Sequence, residues 1–147
     1  MLTCHDVAKY FLAQANEEIG DLISNLKLQK LTYYAQGFYL ALNDEALFPE
    51  GIEAWTHGPV VPVLYHIYKE YNSGAIPSPT DVDFSVYSQD TKDFLNEIYS
   101  VFGQFSAWKL RNMTHEEPPW RDVAENAGII SHFSMKEYFL TQIETNG

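Results

Sequence analysis

The sequence predicts a mainly α fold of the α+β class, with residues 1–147 forming one compact helical domain around a central helix at 26–42 and a small β element near 46–56. Apolar residues recur at helical spacing along most of the chain, whereas strand-like alternation is confined to one short stretch. Gly and Pro clusters separate the periodic segments, and no linker divides them. A chain of 147 residues is also large enough to bury a core without disulfides or metals.

Capping side chains predict where the outer helices begin. Thr3, with the acidic Asp6 in the first turn, predicts a helix that continues to a Gly stop at 19–20. Prolines favour the first turn of a helix, and a Ser followed by Glu three residues later forms a capping box. The further predicted starts are, in chain order, Pro62, Ser88, Ser106 and the Ser134–Glu137 capping box.

The central helix, 26–42, carries the longest apolar stripe, so its members are expected to be buried. They are Leu28, Leu31, Ala35, Phe38 and Leu42. Lys27, Lys30 and Tyr34 share a strip beside this stripe, and we expect Lys27 to be at least partly exposed. Two interpretations of the strip remain open: the lysine stems cover apolar surface, or the strip contacts a partner.

The β element is predicted from alternation at 52–56, with 46–48 as its pairing partner in a small hairpin. Gly58 and Pro59 end this strand. Residues 72–83 contain Gly and two prolines and are predicted to be a loop. The helix from Ser106 is predicted to run to about residue 113, Pro118-Pro119 to prevent its continuation, 120–126 to form a helical turn or two, and 129–130 to be extended.

Composition and charge restrict the function classes. The hydrophobic fraction of 46% and charged fraction of 20% are those of a globular protein. The net charge of −11 repels phosphate backbones, so direct binding to nucleic acid is not expected. The single Cys4 excludes an internal disulfide, and the N-terminal residues lack the pattern of a signal peptide. Because no apolar run reaches membrane-spanning length, we expect no membrane association and a cytoplasmic location.

Two short segments, 55–62 and 110–120, concentrate chemically distinctive residues. Each contains a Trp, a His and rigid prolines. Both arginines of the chain, Arg111 and Arg121, lie in or directly beside the second segment. Because Arg is suited to bidentate contacts and to stacking on aromatic rings, at least one of them is expected to make a particular contact. We predict that the two segments come together beside the central helix.

No catalytic, metal or cofactor site is predicted. Cys4 and His5 are adjacent, a poor geometry for a nucleophile and its base. The five histidines lack metal-ligand spacing, Glu116 and Glu117 resemble solvated loop carboxylates, and the glycines form no phosphate loop. An enzyme remains an open alternative only if His57, Arg111, His115 and Glu116 assemble into one pocket.

Several stretches of the chain stand in a characteristic order: 25–36 (NLKLQKLTYYAQ), 47–55 (LFPEGIEAW), 58–62 (GPVVP) with Tyr65, and Leu110 with Thr114-His115 and 118–120. They resemble the Panacea-domain family of SocA-like antitoxins, many of which are described as GepA-like phage-associated proteins. The resemblance covers nearly the whole chain. It departs at Thr32, where a larger aliphatic residue is commoner, and in the loop 73–87, which follows no family pattern.

The resemblance implies an antitoxin of a type II toxin–antitoxin system that neutralises a cognate toxin by protein–protein binding and is not an enzyme. A second implied route is adaptor-like delivery of the toxin to a bacterial ATP-dependent protease. The candidate toxin contacts are Lys27, Lys30, Tyr34, Trp55, His57, Arg111 and His115. The candidate structural residues of the motif are Gly58, Pro59, Thr114 and Trp120. A phage or mobile-element interaction protein with a target other than a toxin remains the alternative.

Overall fold

The computed structural model describes residues 1–15 and 22–145. Within these residues the helices are α1 (Cys4–Gln14), α2 (Asn25–Asn43), α3 (Pro62–Tyr68), α4 (Gln89–Phe102), α5 (Ala107–His115), α6 (Pro118–Arg121) and α7 (His132–Thr145). The strands are β1 (Ile52–Trp55), β2 (Gly58–Val60) and β3 (Ile129–Ile130), and short 3-10 turns lie at Lys69–Tyr71, Phe84–Val86 and Ala124–Asn126. The fold is therefore mainly α with a small antiparallel sheet, as the sequence predicts.

Helix α2 is the central element, and α1, α3, α4, α5, α7 and strand β2 pack around it. Ser24 caps its first turn by accepting a hydrogen bond from the Lys27 amide. The predicted core positions Leu28, Leu31 and Ala35 are buried. Other members of the stripe are not: Phe38 is half-buried, and Leu42, at the end of the helix, is 57% exposed. The stripe therefore loses contact with the core towards the end of the helix.

Buried amides on α2 fix the segments that surround it. Gln36 donates to the Phe48 carbonyl and accepts from the Leu47 amide, both at 2.8 Å. Gln29 accepts from the Val61 amide at 2.9 Å. Each such bond contributes about 1 kcal/mol net, but a buried amide left unpaired costs more than that. These glutamines therefore determine where the loop 44–51 and the β2–α3 junction lie.

The sheet has the order β2-β1-β3, with β1 antiparallel to both neighbours. Trp55 pairs with Gly58, and Ile52 pairs with Ile130. The predicted hairpin between 46–48 and β1 is wrong. Leu47 and Phe48 are buried, but their backbone groups are satisfied by the Gln36 side chain and form no strand ladder.

The predicted helix starts are mostly confirmed. Thr3 and Asp6 form a capping box on α1, and Ser88 and Ser106 cap α4 and α5. The predicted end of α1 at 19–20 lies outside the described residues, but the prediction that α1 continues that far is wrong, because the helix already ends at Gln14 and its C-cap, Ala15, has an extended backbone. The Ser134 capping box is wrong, because α7 begins two residues earlier and the Ser134 amide donates to Ser131.

The prolines after α5 start a new helix as well as ending the old one. Pro118 occupies the first turn of α6, where its missing N–H is no loss.

Within the described residues no helix is both long and apolar enough to cross a membrane.

Candidate functional site

The structure brings segments 55–62 and 110–120 together beside α2, which confirms the prediction. The Trp120 indole N–H donates to the Trp55 carbonyl at 2.7 Å. Lys30 of α2 donates from Nζ to the Pro59 carbonyl at 3.1 Å. The two segments and the central helix therefore form one structural unit.

Gly58 lies where β2 packs closely against α2 and α5. Its φ of 111° is a conformation that residues with a Cβ rarely adopt. A Cβ at this position would lie 2.5 Å from Lys30 Cε and 2.8 Å from Thr114 Oγ1. The Thr114 hydroxyl, itself buried, donates to the Arg111 carbonyl at 2.7 Å. Glycine is therefore required here by the close packing of β2 against α2 and α5.

Lys30 is completely buried, which corrects the expectation that it belongs to a surface strip. Burial, and next the nearby Arg111, lowers the pKa of its ammonium group to about 7. The side chain is held under Pro59 and cannot touch a partner while this packing persists. Lys30 therefore supports the segment around Pro59 from the side of the central helix.

Tyr34 is also buried, so the structure corrects its assignment as a surface contact. Its hydroxyl donates to Glu117 at 2.7 Å, and that of Tyr33 donates to the same carboxylate at 2.9 Å. The Tyr34 ring stacks on Phe102 with centroids 4.1 Å apart. Glu117, expected to be a solvated loop residue, is 7% exposed, and burial raises the pKa of its carboxyl group to about 7.

Lys27 is 7% exposed, so the prediction that it is partly exposed is wrong. Its ammonium group donates to the Gly103 carbonyl at 2.6 Å. Gly103 is the C-cap of α4, where unpaired carbonyls and the helix dipole favour a cation. The lysine therefore joins α2 to the end of α4.

The exposed part of the site is a cationic patch formed by His57, Trp108 and Arg111. The Arg111 guanidinium carbon lies 4.4 Å from the centroid of the Trp108 ring, a cation–π contact. Its Nε donates to His57 Nδ1 at 3.4 Å, and its Nη1 donates to Asn112 at 3.0 Å. Trp108 is 56% exposed. The arginine is thus held in place at the surface by an aromatic ring, an imidazole and an amide.

Sequence reasoning missed Trp108. It lies three residues before Arg111 on a helix that Ser106 was already expected to cap, and residues at that spacing share a helix face. A Trp and an Arg at positions i and i+3 form the sequence pattern that could have identified the pair.

His115 is half-buried and packs flat against Trp120, with ring centroids 3.9 Å apart and an interplanar angle of 5°. Burial, and next the charge of Arg111, lowers the pKa of its imidazole. Its Nε2 is buried without a hydrogen-bond partner among the described residues. His115 is therefore an aromatic support of the site that retains one unused polar atom.

An apolar cavity of about 550 Å³ adjoins the cationic patch. Leu26, Trp55, Val60 and Tyr65 line it, and His57 belongs both to its wall and to the patch. The ring of Trp55 meets that of Tyr65 edge to face at 5.1 Å. The site thus combines an apolar recess with a cation at its edge.

The four polar residues of the enzyme alternative do not line one cavity. His57 lines the cavity described above, whereas the side chain of Glu116 lies in another, with Met113 and Tyr138. Burial and the nearby Glu50 raise the pKa of the Cys4 thiol to about 12, which disfavours a thiolate. In the described part of the chain, no three His, Cys, Asp or Glu side chains are grouped to hold a metal ion.

Comparison with known proteins identifies the family. The model of the family described as "Antitoxin SocA-like, Panacea domain" matches residues 28–121. The antitoxin SocA of Caulobacter vibrioides is 31% identical over 124 residues, which cover 72% of this chain and 62% of that protein. This chain belongs to the Panacea-domain family. No solved structure gives a significant match.

The part of the chain matched by the Panacea family model includes both Trp-His-Pro segments and most of α2. It therefore contains the whole cationic patch and the buried Lys30 and Glu117. Helix α7, which packs closely against α2, lies beyond the matched residues. The chain also spans less than two thirds of the length of its SocA relative.

Proposed function

We propose that this Panacea-domain protein is the antitoxin of a type II toxin–antitoxin system and neutralises a cognate toxin by direct binding. Membership of the antitoxin family supports this role. The observation that carries the proposal is the cationic patch: an exposed Trp and an Arg are held together at the junction of the two segments. Trp and Arg are prominent among the residues that dominate binding energy at protein interfaces.

The proposed contact residues are those at the surface of the site: Trp55, His57, Trp108, Arg111 and the half-buried His115. Gly58, Pro59, Thr114 and Trp120 shape the surface, with Lys30 beneath it. Lys27 and Tyr34 act through the fold, because both are buried and bound to other parts of the chain. This division assigns binding and support to different residues of the same site.

Co-expression with the product of the neighbouring gene tests the proposal. The neighbouring product alone should arrest growth, and co-expression of this chain should restore it. Arg111→Gln and His57→Ala should lose protection with unchanged melting temperature. Arg121→Gln is the matched control, since Arg121 is exposed and its guanidinium donates only to the Glu116 carbonyl among the described residues. Full protection by both site variants would contradict the proposed surface.

The same co-expression distinguishes the alternative target. A neighbouring product that binds this chain but never impairs growth would favour a phage or mobile-element interaction protein. We place the proposed interaction in the cytoplasm, where both products would be synthesised.

The mechanism of neutralisation is tested by toxin lifetime. Sequestration leaves the half-life of the toxin unchanged when this chain is present. Adaptor-like delivery shortens that half-life, and only in cells that contain the ATP-dependent protease. Measuring toxin decay after synthesis is stopped, in cells with and without the protease, separates the two routes.

A further inference from the structure

Among the described residues, no carboxylate pairs with Arg111, the cation at the surface of the site. The chain has 20 acidic and 9 basic residues, so a carboxylate near each cation would be expected. Within residues 1–15 and 22–145, however, the ion pair observed is Lys136 with Asp44, far from the site in sequence. Arg111 is bound instead to His57, Asn112 and the Trp108 ring. The region is thus a local positive exception on a protein of net charge −11.

The guanidinium group of Arg111 is also suited to bind a carboxylate. It has five N–H donors, and the described contacts use two of them. The cation–π contact with Trp108 and the two hydrogen bonds restrain the group, so less freedom is lost when a planar anion binds. A carboxylate can then accept two parallel hydrogen bonds from one edge.

The apolar cavity lies directly beside this arginine, because His57 contacts Arg111 and also forms part of the cavity wall. Polar residues also line this cavity, but its apolar lining residues, which include Leu26, Trp55, Val60 and Tyr65, suit a large apolar side chain. A ligand that fills the cavity and also contacts Arg111 must therefore present an apolar group and an anion next to each other. A long polyanion is disfavoured by the net charge of −11.

We propose that this surface binds a protein segment carrying a carboxylate beside a large apolar side chain, with the carboxylate on Arg111 and the apolar side chain in the cavity. This inference deepens the proposed antitoxin function and rests on it for the identity of the partner, a toxin with such a segment. The chemistry of recognition can be measured without the toxin. The two proposals can therefore fail separately.

The first experiment uses a displayed library of random peptides, selected on the full chain at low salt. Recovered peptides should be enriched in Asp or Glu adjacent to an aromatic or long aliphatic residue. Selection on Arg111→Gln should lose the acidic preference and keep the apolar one, whereas Arg121→Gln should keep both. Leu26→Asp places a carboxylate in the cavity wall at the first turn of α2 and should remove the apolar preference.

Each outcome of the selection is decisive. No binders above background, or no acidic enrichment with the unmodified chain, contradicts the proposal. The same preferences with Arg111→Gln as with the unmodified chain also contradict it. If Arg111→Gln does not fold, Arg111→Lys and Leu26→Asp provide the test: the lysine variant keeps the charge but loses the planar grip, and should bind the selected peptides about tenfold more weakly.

The second experiment measures binding to the purified product of the neighbouring gene at low and high salt. Arg111→Gln should weaken binding about tenfold or more and reduce its salt dependence, with no such change for Arg121→Gln. If the unmodified chain does not bind this product but selects acidic-apolar peptides, the antitoxin proposal fails and the recognition chemistry stands. If it binds and Arg111→Gln binds equally well, the recognition proposal fails and the antitoxin proposal stands.

Discussion

Two groups of charged and aromatic side chains lie around the central helix. The interior group consists of Tyr33, Tyr34 and Glu117, and in it both carboxylate oxygens accept hydrogen bonds from tyrosine hydroxyls. The cationic patch of His57, Trp108 and Arg111 is at the surface, and its arginine contacts no carboxylate among the described residues. One group satisfies its charge within the fold, whereas the other leaves its charge available to a partner.

The comparison explains why the most recognisable stretch of the sequence lies outside the proposed binding surface. Every residue from 27 to 37 on α2 is buried. Most of their polar side chains are bound to the surrounding loops and helices, whereas the Thr32 hydroxyl donates to the Leu28 carbonyl of the same helix. This stretch therefore maintains the architecture. The patch depends on only a few side chains carried by shorter elements.

The largest expected effect is that of Gly58→Ala, which should destabilise the packing of β2 against α2 and α5. The added methyl group requires a strained φ and displaces Lys30 or Thr114, each of which is buried. Unfolding free energy measured in urea should fall by about 3 kcal/mol, from strain and overpacking together. Gly51→Ala is the matched control, because nothing lies within 4 Å of its added Cβ. Equal stability of the two variants would show that the Gly58 packing is not required.

Glu117→Gln tests the charge of the interior group by its pH dependence. Burial raises the pKa of Glu117 to about 7 from an ordinary value of 4.5, so between these pH values the folded state holds a proton that the unfolded state has released. The unmodified protein should therefore lose stability as pH rises through this range, by up to about 3 kcal/mol.

The glutamine does not titrate, so the variant should lack this loss. Unfolding in urea at several pH values from 4.5 to 7 measures the difference between the two proteins. Parallel stability profiles would mean that the carboxyl group is not perturbed in the folded state. Lys30→Met tests a pH dependence of stability in the opposite direction. The pKa of the Lys30 ammonium group is lowered to about 7, so this group should make the unmodified protein more stable as pH rises from 7 towards 10.5. The methionine variant should lack this rise.

These interior residues also show what the sequence could and could not predict. Leu28, Leu31 and Ala35 were predictable because a long apolar stripe must be buried. The burial of Lys30 was not, because periodicity assumes that a helix keeps one face in water, and residues 27–37 of α2 are covered on all sides by other elements. The meeting of the two segments was predictable from their composition, whereas Glu117 appeared solvated because its tyrosine partners lie more than eighty residues away.

The same limit applies to the other differences. The backbone of 46–48 was expected to pair with a strand, but the Gln36 side chain binds the Leu47 amide and the Phe48 carbonyl instead. Trp108 was not predicted as a site residue because it belongs to neither of the two segments. It becomes part of the site only because α5 places it beside Arg111 and His57.

Tyr34→Phe should have a moderate effect on stability and none on binding. The change removes one hydroxyl that donates to Glu117 and leaves the ring stacked on Phe102. A hydrogen bond to a charged group contributes about 2 kcal/mol, so thermal and urea denaturation above pH 7, where Glu117 is ionised, should show a loss near that value. Affinity for the neighbouring gene product should stay unchanged at a temperature where the variant is folded. A loss of affinity without a loss of stability would return Tyr34 to the contact surface.

Trp108→Ala is expected to have the smallest effect on stability but a large effect on binding. Trp108 is 56% exposed, and it contributes mainly a surface cation–π contact with Arg111. Such an exposed contact stabilises the fold by about 0.5 to 1 kcal/mol, so the melting temperature should change little. Truncation of a Trp at the centre of an interface instead commonly costs about 2 kcal/mol or more of binding free energy. Calorimetric titration with the partner, beside thermal melting of the free variant, gives both quantities. Strong destabilisation with intact affinity would make Trp108 a residue of the fold, and the distinction between the interior group and the cationic patch would no longer hold.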